Sequence, residues 1–490
     1  MNAPEQRLGA RSGPFPAKKL RPVVPMGNTS CGNLARRASR PEQMSRSVAA
    51  ALRRCWPRLR LCPPDVCDCA RPTSATIDPM VRPLQIGALS VDSPVVLAPM
   101  AAVTSAPFRE LCRSFGGGGL FVSEMVSARA IVEGNAKSAL RASFGPSERP
   151  RSLQLYAVNP TVCAEAIRRV IAEHGVNHVD LNLGCPAPKV TRAGGGAALP
   201  LRTAVVRDLL ESAVRAANDA GALDGRSVPV TIKFRRGLDP DTPTAPTLAR
   251  IALDSGIAAI ALHARWADQL YSGSAEWRAV AELVAAVGGQ GMAVLGNGDI
   301  WAAHDAVDMM RTTGCDGVVV GRGCLGRPWF FRDVDAALAG DPVPSPPVLG
   351  DVAAVMRRHA AALCDWHGEP AGIRDFRKHP GWYLTGYPVG GAIRRRLAAV
   401  SSLAELDDLL ATLDPATTVP PTAADLARGH TNGPRRVALP DRYRRALDAR
   451  SSGGDERLLR ELAADPLPPD ERLASGGAES YARAEAFAGG

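Results

Sequence analysis

The 490-residue chain has no apolar run approaching the roughly 18 residues that a membrane-spanning helix needs. Its longest apolar stretches, such as 257–264, are of strand length. No basic segment followed by an apolar core opens the sequence, so a secretory signal is not expected. There are eleven cysteines, yet no spacing repeats among them, which argues against a disulfide scaffold in a chain this long. Five of these, Cys31, Cys55, Cys62, Cys67 and Cys69, crowd into the first 79 residues. Histidine is missing until His174, and the cysteine spacing there fits no usual two-plus-two zinc pattern. The bulk of the chain also lacks charge of one sign. Of the net +10, residues 1–79 hold 14 Lys+Arg against 5 Asp+Glu, leaving 45 against 44 in the remainder. The basic balance therefore belongs to the arm and does not by itself mark the body as nucleic-acid binding.

The arm, residues 1–79, carries eleven prolines and no sustained helical or strand period. It reads as disordered, or as preceding a start at Met80, where folded-looking sequence begins. From 80 to 340 the pattern changes. Short apolar, β-branched runs occur at 95–98, 120–123, 153–156, 179–182, 230–233, 259–263, 293–296 and 318–321. Amphipathic segments such as 162–174, 204–220, 246–255, 277–287 and 302–313 separate them. Near-continuous apolar strands alternating with helices imply a parallel sheet covered on its outer face. Eight such units predict a (β/α)8 TIM barrel. A doubly wound open sheet would place a glycine-rich dinucleotide turn after the first strand, where Pro99-Met100-Ala101 stands instead. A Pro-rich linker then leads into a small helical domain, 341–415, with one stripe of Val348, Val352, Val355, His359, Leu363 and Trp366. Residues 416–490 are rich in Pro, Gly and charge, with one or two plausible short helices, and read as a mobile tail.

In such a barrel chemistry gathers at the C-terminal ends of the strands. The first offers Pro99, Met100 and Ala101; the third carries Gln154; the fourth runs through Asn182 to Gly184-Cys185-Pro186. The fifth ends at Lys233, and the sixth at His263, followed by Arg265. The seventh gives Asn297-Gly298-Asp299, the eighth Gly321-Arg322-Gly323. Glycine lets backbone N–H groups approach an anion, and the last two loops are where barrels commonly hold phosphate. Taken singly, those glycines are also what tight turns need. Lys233 fits either a salt bridge in the mouth or stabilisation of an anion such as a reduced flavin. Gln154 fits a satisfied core amide or a partner for a cofactor ring, and His263 a satisfied strand-end residue or a ligand contact. Cys185 stands apart from thiols that merely fill space, such as Cys112 and Cys315. Its loop faces the mouth, where a thiol can serve as nucleophile, general acid or general base.

These residues resemble those of the tRNA-dihydrouridine synthases, most closely the B-type bacterial members. The similarity runs over about residues 81–415, through 97–101 with Pro107-Phe108-Arg109, 180–186, 189–199, 231–235, 263–273, 297–299, 321–322 and 374–383. The chain departs from the pattern at Ala102 and Ser105, where the family usually has Gly and Asp. The resemblance implies bound FMN, NADPH as its reductant, tRNA as partner and a cytoplasmic enzyme without a stable protein partner. It implies that hydride reaches C6 of a uracil while Cys185 protonates C5. Pro99, Met100, Ala101, Gln154, Lys233 and His263 would then contact the flavin, and Asn297, Gly298, Asp299, Gly321 and Arg322 its ribityl and phosphate groups. Asn182 and Arg265 would reach the uracil. In the helical domain Arg374, Arg377, Lys378, Arg394, Arg395 and Arg396 interleave with Phe376, Trp382, Tyr383 and Tyr387. That pattern suggests phosphate contacts by Arg377 and Lys378 with base stacking, against the plainer reading of a solvated face over core aromatics. Competing readings are a flavin-dependent dehydrogenase or reductase of a free pyrimidine, and a catalytically idle RNA binder.

Overall fold

The computed structural model describes residues 82–117, 119–429, 431–451 and 457–464. The expected disordered arm and its five cysteines lie outside the described residues, as does the end of the tail.

A short antiparallel hairpin, β1 (Leu84–Ile86) and β2 (Leu89–Val91), precedes the main sheet. All other strands described are parallel: β3 (Val95–Leu97), β4 (Leu120–Phe121), β5 (Val126–Ser127), β6 (Ser152–Tyr156), β7 (His178–Leu183), β8 (Val230–Arg235), β9 (Ala259–His263), β10 (Ala293–Asn297) and β11 (Gly317–Val320). β4 and β5 are two pieces of one stave, and a bridge between Val122 and Ser152 closes the ring onto β6. The result is the (β/α)8 barrel that the eight apolar runs predicted, each run falling on a stave.

Each helix buries one stripe against the outside of the barrel. Pro160–His174 shows why. Asn159 caps it by accepting from the Val162 N–H, Pro160 occupies the first turn, and Gly175 ends it at φ 61°. Between those signals Cys163, Ile167, Val170 and Ile171 recur at helical spacing and are buried. Inside the barrel the two halves differ. Val96, Leu120, Val122, Ala259, Ala261, Leu295 and Val319 form an apolar layer on which Leu84, Ile86 and Val91 of the hairpin pack. The staves β6, β7 and β8 instead turn Ser152, Gln154, His178, Asp180 and Thr231 inward, all buried.

The helical domain has its own core, with Val352, Met356, Leu363, Phe376, Tyr383, Leu406 and Leu409 closing over Trp329 of the barrel. Along its first helix, Leu349–His367, the buried stripe is Leu349, Val352, Met356, His359 and Leu363. Val348 is exposed, so the stripe sits partly one position away from the expected one.

Beyond 416 the structure differs from the expected mobile tail. Helices Asp441–Ser451 and Arg457–Ala464 fold back onto the barrel. Tyr443, Ala446 and Leu462 bury themselves against Ala198 and Leu201. Short helices are expected in this segment; their packing is not, because a few apolar residues in a Pro- and Arg-rich stretch do not show what they pack on.

Candidate active site

The mouth of the barrel holds an open cavity lined among others by Pro99, Met100, Lys233, His263, Tyr271, Asn297, Gly298, Trp301, Gly321 and Arg322. Most of the predicted cofactor set is thus brought together. Parallel register sets the height of each side chain, since Asn182 stands opposite Lys233 on β7 and β8 and His263 opposite Asn297 on β9 and β10.

Lys233 Nζ donates to Asn297 Oδ1 at 2.9 Å, and Asn297 Nδ2 donates to the Val319 carbonyl at 2.6 Å. Burial, with the positive charge of Arg235, brings the Lys233 ammonium down to about 8, against the pull of Asp180. His263 is held well below the ordinary imidazole value by burial and by the charges of Arg235, Lys233, Arg265 and Arg322, so it is neutral at pH 7. Arg322 lies over the rings of Tyr271 and Trp301, 4.4 and 4.8 Å from their centroids, and donates to the Gly429 carbonyl. Its burial lowers it to about 10, still charged at neutral pH.

Beneath the mouth runs a hydrogen-bond chain whose direction can be read. Thr231 Oγ1 donates to Asp180 Oδ1 and Gln154 Nε2 to Asp180 Oδ2, both at 2.6 Å. With its proton committed, Thr231 accepts from His178 Nε2 at 3.0 Å, which leaves His178 Nδ1 to accept from Ser152 at 2.7 Å. On the other side Asn182 Nδ2 donates to Gln154 Oε1 at 2.9 Å, and Asn182 Oδ1 accepts from the Cys185 N–H at 2.9 Å. Every donor thus points toward Asp180, which fixes the His178 tautomer and both amide orientations. Burial raises the Asp180 carboxyl, opposed by these hydrogen bonds and by Lys233. Burial also holds His178 at about 3, hence neutral. Gln154, fully buried, is at once the core amide and the link between the cavity floor and the Cys185 loop.

Cys185 is 9% exposed, packed with Tyr156, Val158 and Val190. Its carbonyl accepts from Ala197 N–H at 3.0 Å, folding the following loop back over it. That approach needs glycine at 196. Its φ is +53°, and a Cβ there would lie 2.4 Å from the Cys185 carbonyl oxygen.

The first loop is braced from outside. Arg109, fully buried, pairs with Glu148 through Nε–Oε1 at 2.5 Å and Nη2–Oε2 at 3.0 Å, and donates to the Thr104 carbonyl at 2.7 Å. Thr104 in turn accepts from Met100 N–H at 3.0 Å. The two departures from the family pattern fall here. Ala102 takes a left-handed φ of 58°, and Ser105 stands at a helix N-cap without a side-chain cap bond.

Four predicted residues have other surroundings than expected. Arg265 is 2% exposed and does not present itself to a substrate. Its guanidinium pairs with Asp299 at 2.7 Å and donates to the Ser272 and Gly273 carbonyls. The Asp299 carboxylate is correspondingly turned to Arg265 and to the Ala275 N–H at 2.7 Å, so only the backbone of Asp299 is left for an anion in the cavity. Arg377 and Lys378, expected to take tRNA phosphates from the helical domain, are half-buried and held by neighbours within that domain. Arg377 Nε donates to the Val400 carbonyl at 2.7 Å, and Lys378 pairs with Asp375. Of the interleaved aromatics, Phe376, Tyr383 and Tyr387 are buried in the helical core, where no base could stack on them, whereas Trp382 is half-buried against the barrel. The residues that sequence reasoning gave no role, Ser152, His178, Asp180, Thr231 and Trp301, include four polar groups at alternate strand positions. Polar residues two apart in otherwise apolar parallel strands are the signal that marks an inward face.

Known proteins are similar to this chain in sequence. The family model described as dihydrouridine synthase (Dus) matches residues 96–418. A probable tRNA-dihydrouridine synthase of Mycobacterium tuberculosis (strain ATCC 25618 / H37Rv) is 49% identical over 387 residues, 76% of this chain and 97% of its own length. That of Mycobacterium leprae (strain TN) is 48% identical over 374 residues, 71% and 95% of the two chains. The tRNA-dihydrouridine synthase B of Xanthomonas axonopodis pv. citri (strain 306) is 41% identical over 325 residues, 66% and 92%.

Proposed function

The chain belongs to the dihydrouridine synthase family, oxidoreductases acting on tRNA, and from that membership we propose that it reduces specific tRNA uridines to 5,6-dihydrouridine using FMN and NADPH. The observation that carries this reading is the pairing of a cation-lined cavity with a cysteine loop at the same barrel mouth.

The residues fit a flavin nucleotide. At Gly321 a Cβ would meet only Ala98 Cβ at 3.6 Å and Met100 Sδ at 3.9 Å, so bare backbone faces the cavity there. Arg322 and the Gly298 and Gly321 backbones would hold the phosphate, with Asn297 beside the ribityl chain. Pro99, Met100, Ala101, Lys233 and His263 would border the ring. Bound FMN would supply hydride chemistry at C6, with NADPH as its reductant. Lys233 contributes positive charge where the ring system becomes anionic, and neutral His263 contributes a hydrogen bond rather than a second charge. Asn182 holds the Cys185 backbone from below, and its amide also borders the uracil position. Cys185 donates its thiol proton to C5, where charge develops once C6 has been reduced. The target base must leave its stack to reach this depth. A free pyrimidine as substrate, the competing reading, would not need that step.

The deciding measurement is a single turnover of NADPH-treated enzyme with unmodified tRNA. Cys185→Ala retains FMN and binds tRNA, but forms dihydrouridine about 10²–10⁴-fold more slowly, the usual loss on removing a general acid. Turnover at the wild-type rate would remove Cys185 from the mechanism. If free uracil or orotate is reduced while tRNA is untouched, the tRNA reading fails as a whole.

A further inference from the structure

The segment that follows the family-matched region does more than fold back. The described residues 429, 431–451 and 457–463 form a strap along the rim of the mouth, touching four loops in succession. At the phosphate side the Gly429 carbonyl accepts from Arg322, and Thr431 Oγ1 accepts from Tyr271 N–H at 3.0 Å. The Arg435 N–H then donates to the Asp268 carbonyl at 2.7 Å. Further on, Val437, Leu439 and Leu447 pack on Ala197, Leu238 and Ala267. Tyr443 reaches the cysteine loop at Gly194, whose φ is +73° and where a Cβ would stand 2.8 Å from the tyrosine hydroxyl. The Ala463 carbonyl accepts from Thr203 at 3.3 Å. The inner face is thus committed to the rim.

The outer face is basic. Residues 434–451 contain six arginines and two acids, although the chain beyond residue 79 is close to neutral. Arg435, Arg436, Arg444 and Arg445 are exposed. The two acids, Asp441 and Asp448, pair with Arg444 and Arg436 as exposed ion pairs, which hold their partners weakly. A polyanion delivering a base to Cys185 from this side of the mouth passes over the strap.

We propose that the strap is a second tRNA-binding surface, its arginines taking phosphates of the tRNA backbone on the side of the mouth between the Arg322 loop and the Cys185 loop. This rests on the functional reading above. It differs from the helical domain in position and in lying outside the family-matched residues 96–418.

The test compares the full chain with the variant Arg435→Gln/Arg436→Gln/Arg444→Gln/Arg445→Gln, using an unmodified tRNA transcript over a range of salt. The arm is identical in both proteins, so the difference isolates the strap. Each phosphate no longer neutralised lowers the slope of log K against log salt by about 0.7–0.9. We expect a slope smaller by about 1–3, a KM for tRNA raised roughly tenfold, and unchanged flavin content and kcat at saturating tRNA. Asp448→Asn works in the opposite sense and tightens tRNA binding about two- to threefold, which a merely structural strap would not produce. Equal slopes and equal KM in the fourfold variant would overturn the proposal. If that variant loses its fold, Asp448→Asn decides, and unchanged or weaker binding overturns it. Failure of the unsubstituted chain to bind tRNA would instead bring down the functional reading, and the strap with it.

Discussion

At the scale of single residues, charge is placed where its proton is easily lost. Lys233 sits at about 8 because burial and Arg235 disfavour its ammonium more than Asp180 favours it. The sign follows directly. Below about pH 8 the side chain is charged and attracts an anionic ligand; above it the attraction fades. A bound anion itself raises the Lys233 pKa, so binding takes up a proton in that window. FMN affinity should therefore be level from about pH 7 to 8 and fall above it, a range in which a phosphate with its second pKa near about 6 no longer titrates. Fluorescence titration of flavin into stripped protein measures this. In Lys233→Gln the affinity should be lower throughout and lose that fall. A wild-type affinity independent of pH, or an identical fall in the variant, would remove Lys233 from the flavin site. Arg265 shows the limit of reading such residues singly. An arginine just past a strand end suggests a substrate contact, but whether it faces the substrate or a carboxylate 34 residues later is settled only by the packed loops.

At the scale of elements, legibility followed the strength of the local period. The eight staves were readable because a parallel strand buried on both faces must be a short apolar run. The hairpin β1–β2 was not, since each strand has only three residues and the pattern Leu84-Gln85-Ile86 is too short to distinguish from a loop. The short helices of the strap were legible but their docking was not, while Phe376 and Tyr383 misled because a core aromatic and a stacking aromatic have the same sequence signature. Of the site, the cysteine loop and the glycine turns were legible from residue type at strand ends. The Asp180 chain was not, because its partners come from three staves. The turn from β3 into the helix Ala106–Arg113 carries a testable cost of the same local kind. Ala102 holds φ 58° while its N–H donates to Glu124 Oε2 at 3.0 Å. An L-residue there costs roughly 1–2 kcal/mol. Ala102→Gly should relieve most of that and raise the melting temperature by about 1–2 °C, with flavin content retained. A lower melting temperature would mean that the Ala102 methyl packs more favourably than its backbone is strained.

At the scale of the whole molecule, the uneven charge separates two ways of holding RNA. Residues 1–79 carry a net +9 and the remaining 411 residues a net +1. A body so nearly neutral cannot attract a polyanion by its total charge. It must do so by placement, with six arginines against two acids on the strap and six basic residues against the single acid Asp375 over 374–396 of the helical domain. The arm, which lies outside the described residues, carries most of the net positive charge of the chain. Removing it should therefore cost attraction and leave recognition intact. A chain beginning at Met80 contains the hairpin, every stave and both helical regions, so it should fold and retain flavin as the full chain does. Its affinity for unrelated RNA should fall and its salt slope flatten, by about 0.7–0.9 for each phosphate that the arm had neutralised. Its kcat on the proper tRNA should stay the same. Absorbance of the purified flavoprotein and binding titrations at two or more salt concentrations read both halves of the prediction. An insoluble or colourless shortened chain would mean that the arm is part of the folded structure. A salt slope equal to that of the full chain would mean that the body binds RNA by its own basic surfaces and that the arm reaches no phosphate.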